Sequence, residues 1–382
     1  MAKRYVDINV YTAAQQRLEY IFNEFDNVLV AFSGGKDSGV CLNLCYDYAK
    51  EHSMLDKLAM YHLDYEAQYQ MTTDYVTETF EQFNDIKRYW LCLPVGAQCA
   101  CKMDSDTWIP WEKSKEDIWV RKMPDEYLIN ENNCPFQMYV GQKDYEVQDN
   151  FSKWYSSKFG NTAIVIGIRA DESLNRYKAI VSDRKVNGYK DKNYIVSQNK
   201  ATHNAYIIYD WTVSDIWIYN SRFNKKYNKL YDLYYQAGLK VEQMRVASPF
   251  NNCGIHTLKL YKVIDPFNWA KLVGRVNGAT FAAIYGGTSA MGWKNIEKPS
   301  HFTWKEYCYF LLNTLNEDLR QHYIKKLNSF IEFWKEQGEF DCYKDMCTCI
   351  LKNDYFFKNM EFAQTKKKKE KRKSAIDKYR NL

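Results

Sequence analysis

Along this chain, short continuous apolar runs alternate with apolar residues at helical spacing, and the order of the two predicts the architecture. Leu18, Ile21, Phe22 and Phe25 mark one face of a helix over Ala13–Phe25. Val28-Leu-Val-Ala-Phe32 follows as an unbroken apolar run, the mark of a strand buried on both faces of a parallel sheet, and Ser33-Gly-Gly ends it. Val40, Cys41, Leu44, Cys45 and Tyr48 return to helical spacing. Leu58–Leu63 reads as a second strand, Thr72–Phe83 as a helix, and Ile86–Leu93 as a third strand stopped by Pro94. From Gly96 to about Gly160 the pattern breaks into an irregular insertion rich in Trp and Cys. Strands resume at Ala163–Ile168 and Tyr206–Tyr209, then a helix begins near Thr212, where Thr212 and Asp215 form an imperfect capping box.

Strands alternating with helices imply an α/β fold: a Rossmann-like parallel sheet of about five strands with helices on both faces. Beyond Gly238 the alternation stops, and Phe302–Trp334 carries helical periodicity such as Tyr307, Phe310, Leu311 and Leu315. A smaller, mainly helical C-terminal domain is expected there. The resulting division is an N-terminal helix (1–25), a nucleotide-binding domain (26–240) containing the insertion (96–160), the helical domain (241–362) and a basic tail (363–382).

At 382 residues, 46% apolar and 26% charged, the chain has ordinary globular composition, long enough for two domains. Its net charge is +6, but Lys366–Lys373 holds seven bases and one acid and accounts for all of it. The tail is therefore either a solvated end or a segment that follows a polyanion such as nucleic acid. No stretch of about 18 uncharged apolar residues predicts a membrane span, and no signal-peptide core follows Met1, so a cytoplasmic location is expected. Eleven cysteines without an export signal read as reduced thiols.

Ser33-Gly34-Gly35-Lys36-Asp37-Ser38 joins a buried strand to a helix start, where unpaired backbone N–H groups and the helix dipole favour an anion. The glycines permit close approach and positive φ, the serines add hydroxyl donors, and Lys36 adds a positive charge. The spacing is not that of a Walker A loop. A tight turn that merely contains Lys and Asp is the alternative. Asp64, at the end of the second strand, is positioned for a ribose or adenine edge, or else caps the next turn. Arg169 and Arg176 suit bidentate capture of phosphate or sulfate, and Glu172 suits orienting an arginine or a metal.

The six loop residues resemble the PP-loop of the ATP pyrophosphatase superfamily, which cuts between α- and β-phosphates. Gly167-Ile-Arg-Ala-Asp-Glu-Ser-Leu-Asn-Arg176 resembles a motif of the phosphoadenosine phosphosulfate (PAPS) reductase family, with Asp171 in place of a Glu. Asp210-Trp-Thr-Val-Ser-Asp-Ile-Trp217 resembles another element of that family. Tyr227–Asp232, Ala237–Leu239, Met244-Arg245 and Gly274–Gly278 resemble the immunoglobulin-binding regulator A type branch, which has a C-terminal domain of unknown function and is often encoded beside ParB-like partners.

These resemblances imply an adenine nucleotide, ATP with Mg²⁺ or a PAPS-like compound. Ser33–Ser38, Asp64, Gly167, Arg169, Glu172, Ser173, Arg176 and Arg245 are implied as nucleotide contacts, with Lys36, Arg169 and Arg176 catalytic. Adenylyl transfer to an acceptor, including sulfur modification of nucleic acid, is the expected chemistry. A non-enzymatic regulator acting with a ParB-like protein is one alternative. A thiol-dependent PAPS reductase is the other, and Cys253 in Asn252-Cys-Gly-Ile-His256 is its candidate thiol, although the Glu of the reductase motif and its C-terminal position are missing. Cys99, Cys101, Cys92 and Cys134, or Cys342, Cys347 and Cys349, are candidate zinc or iron–sulfur ligands without the paired spacing that such sites favour.

Overall fold

The computed structural model describes residues 7–101, 106–172, 176–177, 180, 188–244, 246, 248–250, 258–276, 278–285, 298–315, 317–335, 342–351, 354–357 and 360. It divides into two compact units, one of residues 1–98 and 107–277, the other of 99–106 and 278–382.

The first unit is built on an eight-stranded sheet among the described residues. Its strands are β1 (Asn27–Ala31), β2 (Leu58–Leu63), β3 (Lys87–Cys92), β6 (Leu128–Asn130), β7 (Thr162–Ile166), β8 (Gly188–Tyr189), β9 (Lys192–Ser197) and β10 (Thr202–Ala205). The two-residue strands β4 (Ala97–Gln98) and β5 (Thr107–Trp108) pair separately. The order is β6-β3-β2-β1-β7-β10-β9-β8, parallel as far as β10 and antiparallel beyond it. The chain runs outward from β1 to β6 and then returns to β7 beside β1. That reversal opens a crevice at the carboxyl ends of β1 and β7, the usual ligand position in an open α/β sheet.

Alternation along the strands divides the core between the two faces. Val28, Val30, Met60 and Val165 pack with buried residues of α1 (Val10–Glu24), α2 (Lys36–Glu51), α3 (Gln70–Gln82) and α5 (Val213–Arg222). On the other face Tyr61 and Tyr89 meet Phe151 of α4 (Asp144–Phe159), with ring centroids 5.0 and 5.5 Å away. The capping box at α5 is complete: Thr212 Oγ1 accepts from Asp215 N–H at 3.3 Å, and Asp215 accepts from Thr212 N–H at 2.7 Å. The same unit continues through α6 (Leu230–Gln236), α7 (Leu258–Ile264) and α8 (Pro266–Arg275).

The α/β class is as expected, but two details of the sheet and one of the insertion differ. It has eight strands rather than about five, because three-residue β6 and the β8–β9 hairpin are too short or too mixed to show a period. The strand expected at Tyr206–Tyr209 is instead Thr202–Ala205, registered against Thr162–Val165. Ile207 and Ile208 are buried in the turn that follows, and an apolar run by itself does not distinguish a buried turn from a strand. Within 96–160, α4 buries Val147, Phe151 and Tyr155 at spacings of four, so that region is not irregular throughout.

The second unit is helical: α9 (Ala279–Tyr285), α10 (Trp304–Asn313), α11 (Glu317–Lys335) and α12 (Cys342–Leu351). Leu311, Leu312, Tyr323, Leu327, Phe330 and Met346 form its core. No helix among the described residues is long and apolar enough to cross a membrane.

Candidate functional site

The loop after β1 owes its shape to two glycines. Gly34 takes φ +74°, which turns the chain out of the sheet, and Gly35 caps α2 in an extended conformation without a side-chain acceptor. The Tyr231 hydroxyl takes that role and accepts from Lys36 N–H at 3.2 Å. Inside the loop, Ser38 Oγ donates to Gly35 O at 3.0 Å and accepts from Ser33 N–H at 3.2 Å, while the two serine hydroxyls lie 3.1 Å apart. Asn228 Nδ2 donates to Gly34 O at 3.1 Å and to Thr72 Oγ1 at 2.9 Å, pinning the turn from outside. Ser33 remains exposed, and Gly34–Ser38 are buried.

Three charges gather over the start of α2. Asp37 holds Lys36 Nζ on Oδ2 and Arg169 Nε on Oδ1, each at 2.6 Å, with all three side chains largely buried. Arg169 arrives from the segment after β7, and Gly167 makes that approach feasible. A Cβ at Gly167 would lie 2.8 Å from Ser38 N and 2.9 Å from the Asp37 carbonyl carbon. Beside the ion pairs is a cleft of about 70 Å³, lined by Lys36, Arg169, Asp171, Glu172 and apolar Val213 and Met244. Arg176 Nε is 3.3 Å from Glu172 Oε2. The arrangement joins two cations, a helix N-terminus and two further carboxylates around a phosphate-sized space.

Ser33–Ser38, Gly167, Arg169, Glu172 and Arg176 are thus brought together. Asp64 is elsewhere, fully buried at the end of β2. Its carboxylate accepts from Trp90 Nε1 at 2.6 Å and from Glu66 N–H at 2.8 Å, and pairs with Arg121. Burial opposes its charge, yet Arg121, His62 and Trp90 together hold its carboxyl below the usual range. Ser173, Arg245, Cys253 and the Lys366–Lys373 tail lie outside the described residues. Residues not singled out from the sequence also take part: Tyr231 and Asn228 brace the loop, while Arg121 and Arg275 pair with buried Asp64 and Glu66 beyond the end of β2. Tyr231 and Asn228 fall inside the quoted Tyr227–Asp232 motif and Arg275 inside Gly274–Gly278, so a signal was present without a role attached.

Glu66 has φ +61° and is likewise fully buried. Its oxygens accept from Arg275 Nε and Nη2 at 2.9 and 3.0 Å and from the N–H groups of Trp111 and Val120 at 2.7 and 3.0 Å. His62, inside β2, places Nδ1 2.8 Å from Phe32 O. Burial pushes its pKa down, against the opposing pull of Asp64. Because the folded value lies below the unfolded one, the unfolded state takes up the proton first on acidification. Stability contributed by neutral His62 is full above about pH 6.5, the unfolded value, and declines below it. Urea titrations across pH 7.5 to 5 should record that decline, and His62→Gln should flatten it.

Among the described residues no group of three or more His, Cys, Asp or Glu is arranged to hold a metal ion. Cys41, Cys45 and Cys92 are fully buried, and burial raises their thiol pKa. Cys99, Cys101, Cys342, Cys347 and Cys349 are buried too, and Cys134 is half-buried.

The sheet order and the loop at its reversal define a PP-loop, nucleotide-binding α/β protein. Residues 27–237 match the phosphoadenosine phosphosulfate reductase domain, and residues 238–340 match a domain of unknown function (DUF3440). The chain belongs to the phosphoadenosine phosphosulfate reductase domain family. It is 33% identical over 381 residues to the uncharacterized protein YbdN of Escherichia coli (strain K12), covering 94% of this chain and 92% of that one. Among solved structures, FMN adenylyltransferase of Candida glabrata, in complex with FAD and inorganic pyrophosphate, is 14% identical with a TM-score of 0.33. That match covers 60% of this chain and 64% of the enzyme, just under two thirds of its length. The U34-tRNA thiolase NcsA of Methanococcus maripaludis is 13% identical, covering 81% of this chain and 90% of that one, with a TM-score of 0.33.

Proposed function

We propose that this protein binds ATP over Ser33–Ser38 and transfers its adenylyl group to an acceptor, releasing pyrophosphate. The supporting observation is the pair of cations, Lys36 and Arg169, held by one carboxylate over the first turn of α2 beside an open cleft. In such a transfer an acceptor oxygen attacks the α-phosphorus, the bond to the α–β bridging oxygen breaks, and its electron pair leaves with pyrophosphate. Lys36, Arg169 and the α2 N-terminus would stabilise the charge that accumulates on that leaving group, while the serine hydroxyls orient it. Gly167 and Asp37 position the two cations.

Mg²⁺ prefers hard oxygen ligands, and Asp171 and Glu172 supply carboxylates at the edge of the same cleft. Held there, it would neutralise phosphate oxygens. Lys36→Ala should reduce pyrophosphate release by about a hundredfold or more, the loss typical of removing one preorganised charge donor. Labelled ATP incubated with the full chain and candidate acceptors reads this directly. If the unaltered chain retains ATP in a thermal-shift assay but never forms pyrophosphate, it is a nucleotide-dependent regulator, as the regulator A resemblance implies. Sulfite release from PAPS in the presence of thioredoxin, lost in Cys253→Ser, would instead make it a reductase.

A further inference from the structure

A second cavity lies at the same edge of the sheet but away from the charged loop. It opens at the carboxyl ends of β3 and β6, where Cys92 and Asn130 stand, and has a volume of about 170 Å³. Since β3 is two strands from β1, roughly 10 Å separates it from the PP-loop at the usual strand spacing. Its volume is close to the roughly 150 Å³ of an engineered cavity that takes up benzene, so it admits one planar ring and not a whole nucleotide.

The walls describe that ring. Trp111 and Trp119 stand edge to face, centroids 5.2 Å apart at 85°, and Met123 adds a thioether. Both indole N–H groups are already used, Trp111 on Asp64 O at 2.8 Å and Trp119 on Glu112 O at 3.1 Å, so the walls contribute ring surface rather than donors. The Cys92 thiol is kept neutral by burial. Lys113 is outnumbered by Glu116 and Glu131 along the lining, so the cavity carries a net negative charge and disfavours an anionic occupant. Asn130 supplies the specific feature: its Nδ2 donor has Met123 Sδ at 3.9 Å, and a thioether is a weak acceptor. A stronger acceptor on the ring would complete it.

We propose that this cavity binds a neutral, keto-bearing nucleobase ring such as uracil, seated against Trp119 with a ring carbonyl on Asn130 Nδ2. Aromatic walls that stack a base and an amide that reads its edge are the usual means of recognising an unpaired base. The base is either part of a free nucleoside or part of a single strand.

The test is ligand-observed NMR titration of the full chain, without ATP, using uridine, oligouridylate and phenol. Uridine should bind, and Asn130→Leu should weaken it by about tenfold, the worth of one hydrogen bond, while phenol, whose hydroxyl is a weaker acceptor than a ring carbonyl, loses less. Trp119→Ala should abolish uridine binding, and Asn130→Leu, a change at a half-buried position on the sheet's edge strand, keeps the test valid if Trp119→Ala fails to fold. Oligouridylate that competes with uridine and binds more tightly identifies a single strand as the source, and equal affinity identifies the free nucleoside. Absence of uridine binding at millimolar concentration, or binding indifferent to Asn130→Leu, overturns the proposal. Because no nucleotide triphosphate is present, neither result depends on whether Lys36 supports adenylyl transfer.

Discussion

Replacing Gly167 with alanine is expected to destabilise the chain by about 1 to 3 kcal/mol, the usual penalty for overpacking. The same change should lower pyrophosphate release by about a hundredfold, the effect of misplacing catalytic groups by an ångström. The added Cβ would meet Ser38 N at 2.8 Å, the Asp37 carbonyl carbon at 2.9 Å and Ser38 Cα at 3.0 Å, all main-chain atoms that no rotamer change moves aside. Relief comes only by separating the end of β7 from the first turn of α2. That movement pulls Arg169 from Asp37 and widens the very place where the two cations are held. Gly35→Ala is the contrast: φ is −91° there, and the added carbon meets side-chain oxygens of Ser33 and Tyr231 at 3.4 and 3.5 Å. Urea denaturation and the pyrophosphate assay on both variants give the comparison. Equal behaviour of the two would show that the close approach at Gly167 does not govern the site.

Arg275→Met should cost more, about 3 to 5 kcal/mol of unfolding free energy, because it leaves a buried carboxylate without its counter-charge. Glu66 and Arg275 are almost entirely shielded, with side-chain exposures of 0% and 1%, and their bidentate pair is supplemented by an Arg275 bond to Ile109 O at 2.7 Å. Even beside Arg275, burial pushes the Glu66 carboxyl above its ordinary range. Without the arginine it rises further. A folded-state value above the unfolded one confers stability at low pH that is lost as pH rises, so the variant's deficit should shrink on acidification. Adding Glu66→Gln to Arg275→Met should recover part of the loss. A single-variant cost below about 1 kcal/mol, the range of surface pairs, would show that the pair is solvated in solution.

Much of the loop was legible because its chemistry is local. A buried strand, two glycines and a helix start occupy consecutive positions, so Val28–Ser38 alone places the turn and the N-terminus of α2, although not the Tyr231 hydroxyl that takes the Lys36 N–H. The position of Arg169 and Glu172 was legible for the same reason, both following closely on the end of β7. Asp64 shows the limit of that reasoning. Its place at the end of β2 was read correctly, but Trp90 and Arg121 come from segments 26 and 57 residues away, and nothing near Asp64 announces them.

The sequence by itself determined the α/β class, the strands β1, β2, β3 and β7, the helical character of the C-terminal unit and the glycine turn of the PP-loop between β1 and α2. Each follows from periodicity or turn chemistry within a dozen residues. Only the tertiary structure decided the rest: the Lys36–Asp37–Arg169 bridge, Tyr231 as the cap of α2, the burial of Asp64 and Glu66 under Arg121 and Arg275, and the ring-sized cavity of the insertion. The long-range joins among these, Asp64–Arg121, Asp37–Arg169, Lys36–Tyr231 and Glu66–Arg275, connect residues 57, 132, 195 and 209 positions apart. The physical reason is that a charge or hydroxyl has the same local signature whether it faces solvent or a distant partner. Packing alone supplies the partner and removes the water that would otherwise satisfy it.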